Sequence, residues 1–137
     1  GGDKKGIVVA GGHGEGAGLH QLNYPTYLFV DAQKTVYVSD TKNYRVMKWI
    51  PGTKQGVLVA GRNGDGEKVK QLSYPRGVWV NGCGHVYVAD EENHRVMRWE
   101  KGATQGTVVV GGNGGGNEAN QLSGPQGLCF DRHGHLY

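Results

Sequence analysis

The residues best suited to chemistry crowd into one short stretch. Asp90, Asn93, His94 and Arg95 fall within six residues, with Cys83 and His85 just upstream. A carboxylate, an imidazole and a guanidinium this close together suit acid–base work, and with the thiol they suit metal ligation. A second copy changes the reading. Asp40, Asn43 and Arg45 stand in the same order and spacing, with Tyr44 in place of His94. A site used once per molecule need not recur, whereas scaffold should. Asp40, Asn43, Arg45, Asp90, Asn93 and Arg95 are therefore read as structural. The carboxylate is expected to open a tight turn and accept N–H bonds inside it. The asparagine is expected to take the left-handed conformation. The arginine is expected to reach a carboxylate or a carbonyl on a neighbouring unit.

The recurrence runs through the chain. "GIVVAGGHGEGAGLHQLNYP" begins at Gly6, "GVLVAGRNGDGEKVKQLSYP" at Gly56 and "GTVVVGGNGGGNEANQLSGP" at Gly106, a period of 50 residues. It divides residues 1–137 into units at 6–55, 56–105 and an incomplete 106–137. Each full unit reads as four strands, at 26–31, 35–40, 45–50 and 56–61, then at 76–81, 85–90, 95–100 and 106–111. Alternation supports them. Leu28 and Val30 share one face, Tyr27 and Phe29 the other; Val36 and Val38 lie opposite Tyr37 and Ser39. Glycine makes up 26 of the 137 residues, well above the usual ~7%, and falls in the connections, where turns need it. The segments 11–25, 61–75 and 111–125 join one unit to the next. No stretch of ten residues has a helical period.

Four antiparallel strands every forty to fifty residues is the arithmetic of a propeller blade. One blade cannot bury both of its faces, so blades stack. The fold class expected is all-β, a β-propeller of four-stranded antiparallel blades, present as about two and a half to three blades. "YVADEENHRVMRW", with "NHR" at 93–95 and "NYR" at 43–45, resembles the signature of NHL repeats, as do "YPRGVWV" and "TQGTVVVGG". That resemblance implies a propeller, commonly six-bladed. It does not imply one activity, because the family includes RNA-binding modules, protein-binding modules and a peptide lyase.

The ends of the chain fit this frame. Ile7–Ala10 reads as a lone fourth strand, and Tyr37, Tyr87 and Tyr137 align, so the chain stops inside a second strand. The favoured explanation is a fragment of a longer propeller. The other is a homo-oligomer in which copies complete the ring, since open edges invite pairing.

Composition narrows the function. The net charge is +3, with Lys and Arg scattered rather than gathered on one face as in nucleic-acid domains. No apolar run approaches the ~20 residues of a membrane helix, and "GGDKKG" is no signal peptide. Cys83 and Cys129 form neither a C-x-x-C pair nor a disulfide framework. The glycine-rich loops lack the following helix that a phosphate cradle needs. Ser39, Ser73 and Ser123 have no visible triad partners, and there is no H-E-x-x-H.

No cofactor is expected. Calcium at "RNGDGE" 62–67 and zinc at histidines are lesser options, since the loop lacks the full calcium pattern and a zinc site needs more converging ligands. The resemblance would let several histidines meet a metal at a central channel. His13, His20, His85, His94, His133 and His135 follow no once-per-blade order, which departs from that enzyme.

The main expectation is a non-catalytic module that binds a protein or peptide through its blade-connecting loops. Constant scaffolds with varied loops are how binding modules are built. The candidate binding residues are His13, Glu15, Tyr24, Arg62, Asp65, Lys68, Lys70, Tyr74, Asn113 and Asn117. The first alternative is RNA, using Arg62, Lys68, Lys70 and Arg76 with stacked Tyr24 and Tyr74. The second is a metal-dependent lyase or hydrolase.

Overall fold

The computed structural model describes residues 8–12, 14–61 and 71–111. They form two four-stranded antiparallel sheets, each in simple meander order. The first blade holds β1 (Pro25–Val30), β2 (Val36–Asp40), β3 (Arg45–Trp49) and β4 (Val57–Ala60). The second holds β5 (Pro75–Val80), β6 (Val86–Asp90), β7 (Arg95–Trp99) and β8 (Thr107–Gly111). No helix among the described residues is long and apolar enough to cross a membrane.

Strand register sorts each blade into two unlike faces. Leu28 pairs with Val38, Val38 with Met47 and Met47 with Leu58, so one aliphatic row crosses the first blade. The adjoining row, Phe29, Tyr37, Lys48 and Val57, crosses the opposite face. The aliphatic face of the second blade packs on the aromatic face of the first. Val78, Val80, Val86, Val88, Met97 and Trp99 form one buried cluster with Tyr37, Val46 and Ala60, and Phe29 and Val59 pack against it. Phe29 and Trp79 meet with ring centroids 5.7 Å apart. Polar bonds reinforce the seam: Ser39 Oγ donates to the Arg76 carbonyl, and Thr41 Oγ1 donates to the Pro75 carbonyl at 2.7 Å.

The linkers plug the blades. Leu72 is fully buried in the shared cluster, and Leu22 packs against Val38, Met47 and Trp49. Glycine is required where strands come close. A side chain at Gly56 would meet the Trp49 ring at 2.9 Å and Met47 Cε at 3.0 Å, and Gly106 faces Met97 and Trp99 likewise. The β3–β4 connection turns at Ile50–Thr53, where Thr53 N donates to the Ile50 carbonyl and Gly52 has φ +84°. That is the type II pattern, with Pro51 at the position where proline pre-sets φ.

Two expectations about elements change. Val8–Ala10, the described part of the supposed first strand, is not a strand, and among the described residues no strand pairs with it. The left-handed residue of the β2–β3 turn is Tyr44 (φ 54°) or His94 (φ 51°), not the asparagine. Asn43 and Asn93 end a single 3-10 turn at Thr41–Asn43 and Glu91–Asn93, and their side chains are used elsewhere.

The faces are unequally covered. Val78 and Val80 are 6% and 5% exposed, while their counterparts Leu28 and Val30 are 67% and 49% exposed. In this chain, Val78→Asp should therefore destabilise by about 3 kcal/mol or more by burying a carboxylate. Leu28→Asp should stay within about 0.5 kcal/mol of the unaltered chain. Urea denaturation of the two variants checks the difference.

Candidate functional site

The Asp–Asn–Arg cluster is a brace between each blade and the linker that enters it. β2 and β3 pair Asp40 directly with Arg45. Asp40 Oδ2 accepts from Arg45 Nε at 2.7 Å and Asn43 Nδ2 at 2.9 Å. Asp40 Oδ1 accepts from the Asn23 backbone N–H at 2.6 Å. The guanidinium then spreads over linker carbonyls. Arg45 Nη1 donates to Ala17 at 3.0 Å, and Nη2 donates to Gly18 at 3.0 Å and Gln21 at 3.1 Å. Asn43 Nδ2 also donates to the Gly16 carbonyl at 2.8 Å.

The second blade repeats the arrangement. Asp90 takes Arg95 Nε at 2.7 Å, Asn93 Nδ2 at 2.9 Å and Ser73 N at 2.6 Å, and Arg95 Nη2 reaches the Gln71 carbonyl at 3.0 Å. Both aspartates are fully buried. Burial pushes the Asp90 carboxyl above its ordinary range, although the Ser73, Asn93 and Arg95 donors pull the other way. The aspartate thus caps no backbone N–H of its own turn. Its N–H partner comes from the linker, and the arginine reaches linker carbonyls rather than a neighbouring blade.

The same docking gathers a surface at the linker end. Lys42 N donates to the Asn23 carbonyl and Glu92 N to the Ser73 carbonyl, so each linker end lies on its β2–β3 turn. Tyr24 and Tyr74 follow, both in the left-handed region (φ 57° and 59°), which is strained for a bulky residue before proline. Tyr24 is 53% exposed, and Lys42 Nζ lies 4.8 Å from its ring centroid. Arg76 bridges the blades: its Cζ is 5.7 Å from the Tyr74 ring and 5.9 Å from the Tyr27 ring. Arg76 Nε lies 3.5 Å from Glu91 Oε2. The first blade has Thr26 and Thr41 at these two positions, with their hydroxyls 2.7 Å apart. A hydroxyl pair in one blade is an ion pair in the next. Tyr27, Lys42 and Glu91 were missing from the sequence-based site. The signal was the paired exchange of Thr26 and Thr41 for Arg76 and Glu91, and of Tyr27 for Gly77.

Of the other candidates, Glu15 is exposed and makes an isolated parallel bridge with Leu22. His13, Arg62, Asp65, Lys68, Lys70, Asn113 and Asn117 lie outside the described residues, as do the calcium-like loop 62–67 and His133 and His135.

The opposite face was not legible as a site. There Asp31 Oδ1 accepts from Gln33 N and Thr35 N at 2.9 Å each, and Asn81 Oδ1 accepts from Cys83 N and His85 N at 3.0 Å. His85 Nδ1 accepts from Lys101 N at 3.1 Å, which leaves the imidazole proton of the neutral ring on Nε2. Cys83 is a free, exposed thiol. Among the described residues, no three or more His, Cys, Asp or Glu side chains are grouped to hold a metal ion. Between these turns and the neighbouring strands lies a groove of about 690 Å³. Tyr37 lines it. Burial first, and then the charge of Asp31, raise its phenol above the ordinary value.

The geometry can be set beside known proteins. The family model described as NHL repeat matches residues 72–98, from Leu72 in the linker through the brace to β7. The chain carries an NHL repeat. The NHL match thus spans both partners of the Asp90–Arg95 brace and the linker end that it holds. No curated protein matches the chain in sequence. Among solved structures, a structural genomics protein of unknown function from Bacteroides thetaiotaomicron VPI-5482 is similar, at 17% identity and a TM-score of 0.61. That match covers 82% of this chain and 31% of that one. An auxiliary nutrient binding protein from the same organism is similar at 15% identity and a TM-score of 0.60, covering 77% of this chain and 32% of that one. The chain thus spans about a third of the length of either structure, and at these identities the likeness is one of fold.

Two outcomes follow. Asp90→Ala leaves a buried guanidinium without its carboxylate and should cost about 3–5 kcal/mol, read by urea denaturation. Tyr37 gives the pH sign. Its folded-state pKa lies above the unfolded value of about 10, so its contribution is complete below pH ~10 and is lost as pH rises through the folded value. Thermal melting should show stability falling above pH ~10 in the unaltered chain, and falling less in Tyr37→Phe.

Proposed function

We propose that this chain is a non-catalytic NHL-propeller interaction module that binds a protein or peptide at its linker face. One observation carries the reading. Arg76 lies over Tyr74 of its own linker and Tyr27 of the neighbouring blade, at a place where the two blades differ. Repeated residues build the brace and the core; Arg76 and Glu91, which replace Thr26 and Thr41, and Tyr27, which Gly77 replaces, break the repeat on this surface. Strained backbone at Tyr24 and Tyr74 supports a role beyond packing. Tyrosine and arginine are the residue types that dominate binding energy at protein interfaces. The solved structure described as a nutrient binding protein is compatible with a ligand-binding use of this fold.

RNA is the second reading, because aromatic rings beside cations also suit unstacked bases. The two separate in one experiment. Peptides selected from a random displayed library on the intact chain should bind saturably, and Arg76→Ala and Tyr74→Ala should each weaken them by about tenfold or more. Unchanged peptide affinity in both variants would remove the reading. Retention of a random RNA oligomer on filters that falls steeply with salt, and is lost in Arg76→Ala, would favour RNA instead.

A further inference from the structure

We propose a second binding site, for a small amphipathic monocarboxylate, in the groove between the two blades on the face away from the linkers. It is independent of the linker-face reading. Its volume of about 690 Å³ falls within the ~300–1,000 Å³ of small-ligand sites. One wall is the cross-strand row Phe29, Tyr37, Lys48 and Val57 of the first blade. The facing wall includes Val80, Val86 and Ala103 of the second blade, with Lys101 at its rim.

The chemistry of the ligand follows from one break in the repeat. In the second blade the row cation is Arg98, and Glu100 lies 3.9 Å from it. The first blade has Lys48 at the same position, with Ile50 where the glutamate would be. Lys48 has therefore lost its neighbouring carboxylate and kept its half-buried place in the groove. Among the described residues, neither Lys48 nor Lys101 has an ion-pair partner. Tyr37 is cross-strand to Lys48, and its buried ring carries a hydroxyl with no hydrogen-bond partner among the described residues.

Two acids also line the groove. Asp31 is held by two turn N–H groups through Oδ1, and Glu100 is turned to Arg98. The uncommitted donors are thus two ammoniums and a neutral phenol beside apolar walls. A carboxylate satisfies the first set, and an aliphatic or aromatic body satisfies the second.

The test titrates the full chain with sodium octanoate and follows backbone amide shifts by NMR, with 1-octanol as the uncharged control. Saturable shifts are expected at Tyr37, Val57, Val86 and Ala103, with octanol weaker by about tenfold. Lys48→Met keeps the apolar stem and removes the charge; it should weaken octanoate by about tenfold. Tyr37→Phe removes only the hydroxyl and should weaken octanoate severalfold. Absence of saturable shifts at the groove overturns the proposal. So do shifts at Tyr24 and Tyr74 instead, or unchanged octanoate affinity in both variants.

Discussion

A buried carboxylate holds each blade to the linker that enters it. Asp40 and Asp90 are removed from water, so each must have its lone pairs met inside the protein. Three donors meet them, one from the linker backbone and two from the far side of the turn. The arginine is fixed in turn, and its remaining N–H groups lie against linker carbonyls. The leucine after the glutamine is thereby lowered into the core, and the tyrosine before the proline is held at the surface. Core, seam and linker face all hang from this ion pair.

Because the arginine reads main-chain carbonyls, it places little demand on linker side chains. "GGHGEGAG" and "GRNGDGEK" share only three glycines, yet both precede a Gln-Leu whose glutamine carbonyl accepts the arginine. Recognition of backbone rather than side chain lets the loops vary while the blade stays fixed. That separates what holds the fold from what is free to vary.

Much of the fold was legible because strand alternation and a strict repeat report the same thing twice. The eight strands lie within a residue or so of their expected positions, and Leu28 and Tyr27 do face opposite ways. The brace residues were legible as a repeat, but their partners were not. Hydrogen bonds from the Asn23 N–H to Asp40 and from Arg45 to the Ala17 carbonyl join positions that no local pattern connects. The left-handed position escaped because propensity favours asparagine, while the turn places Tyr44 or His94 there and uses the asparagine amide as a donor. The groove was invisible for a further reason. It belongs to neither blade, and arises only where one blade's turns approach the next blade's strands.

The two unlike faces of each blade carry a consequence for symmetry. An aliphatic face meets an aromatic one, so the seam has a head and a tail. Such a contact cannot be related to itself by a two-fold axis. Any blade that covers Leu28 and Val30 by the same seam must bring an aromatic face and the same handed rotation. The geometry of one seam therefore acts as a screw or rotation operator. Whether its repetition gives a closed ring or an open helix is set by the rotation and the axial rise between two blades.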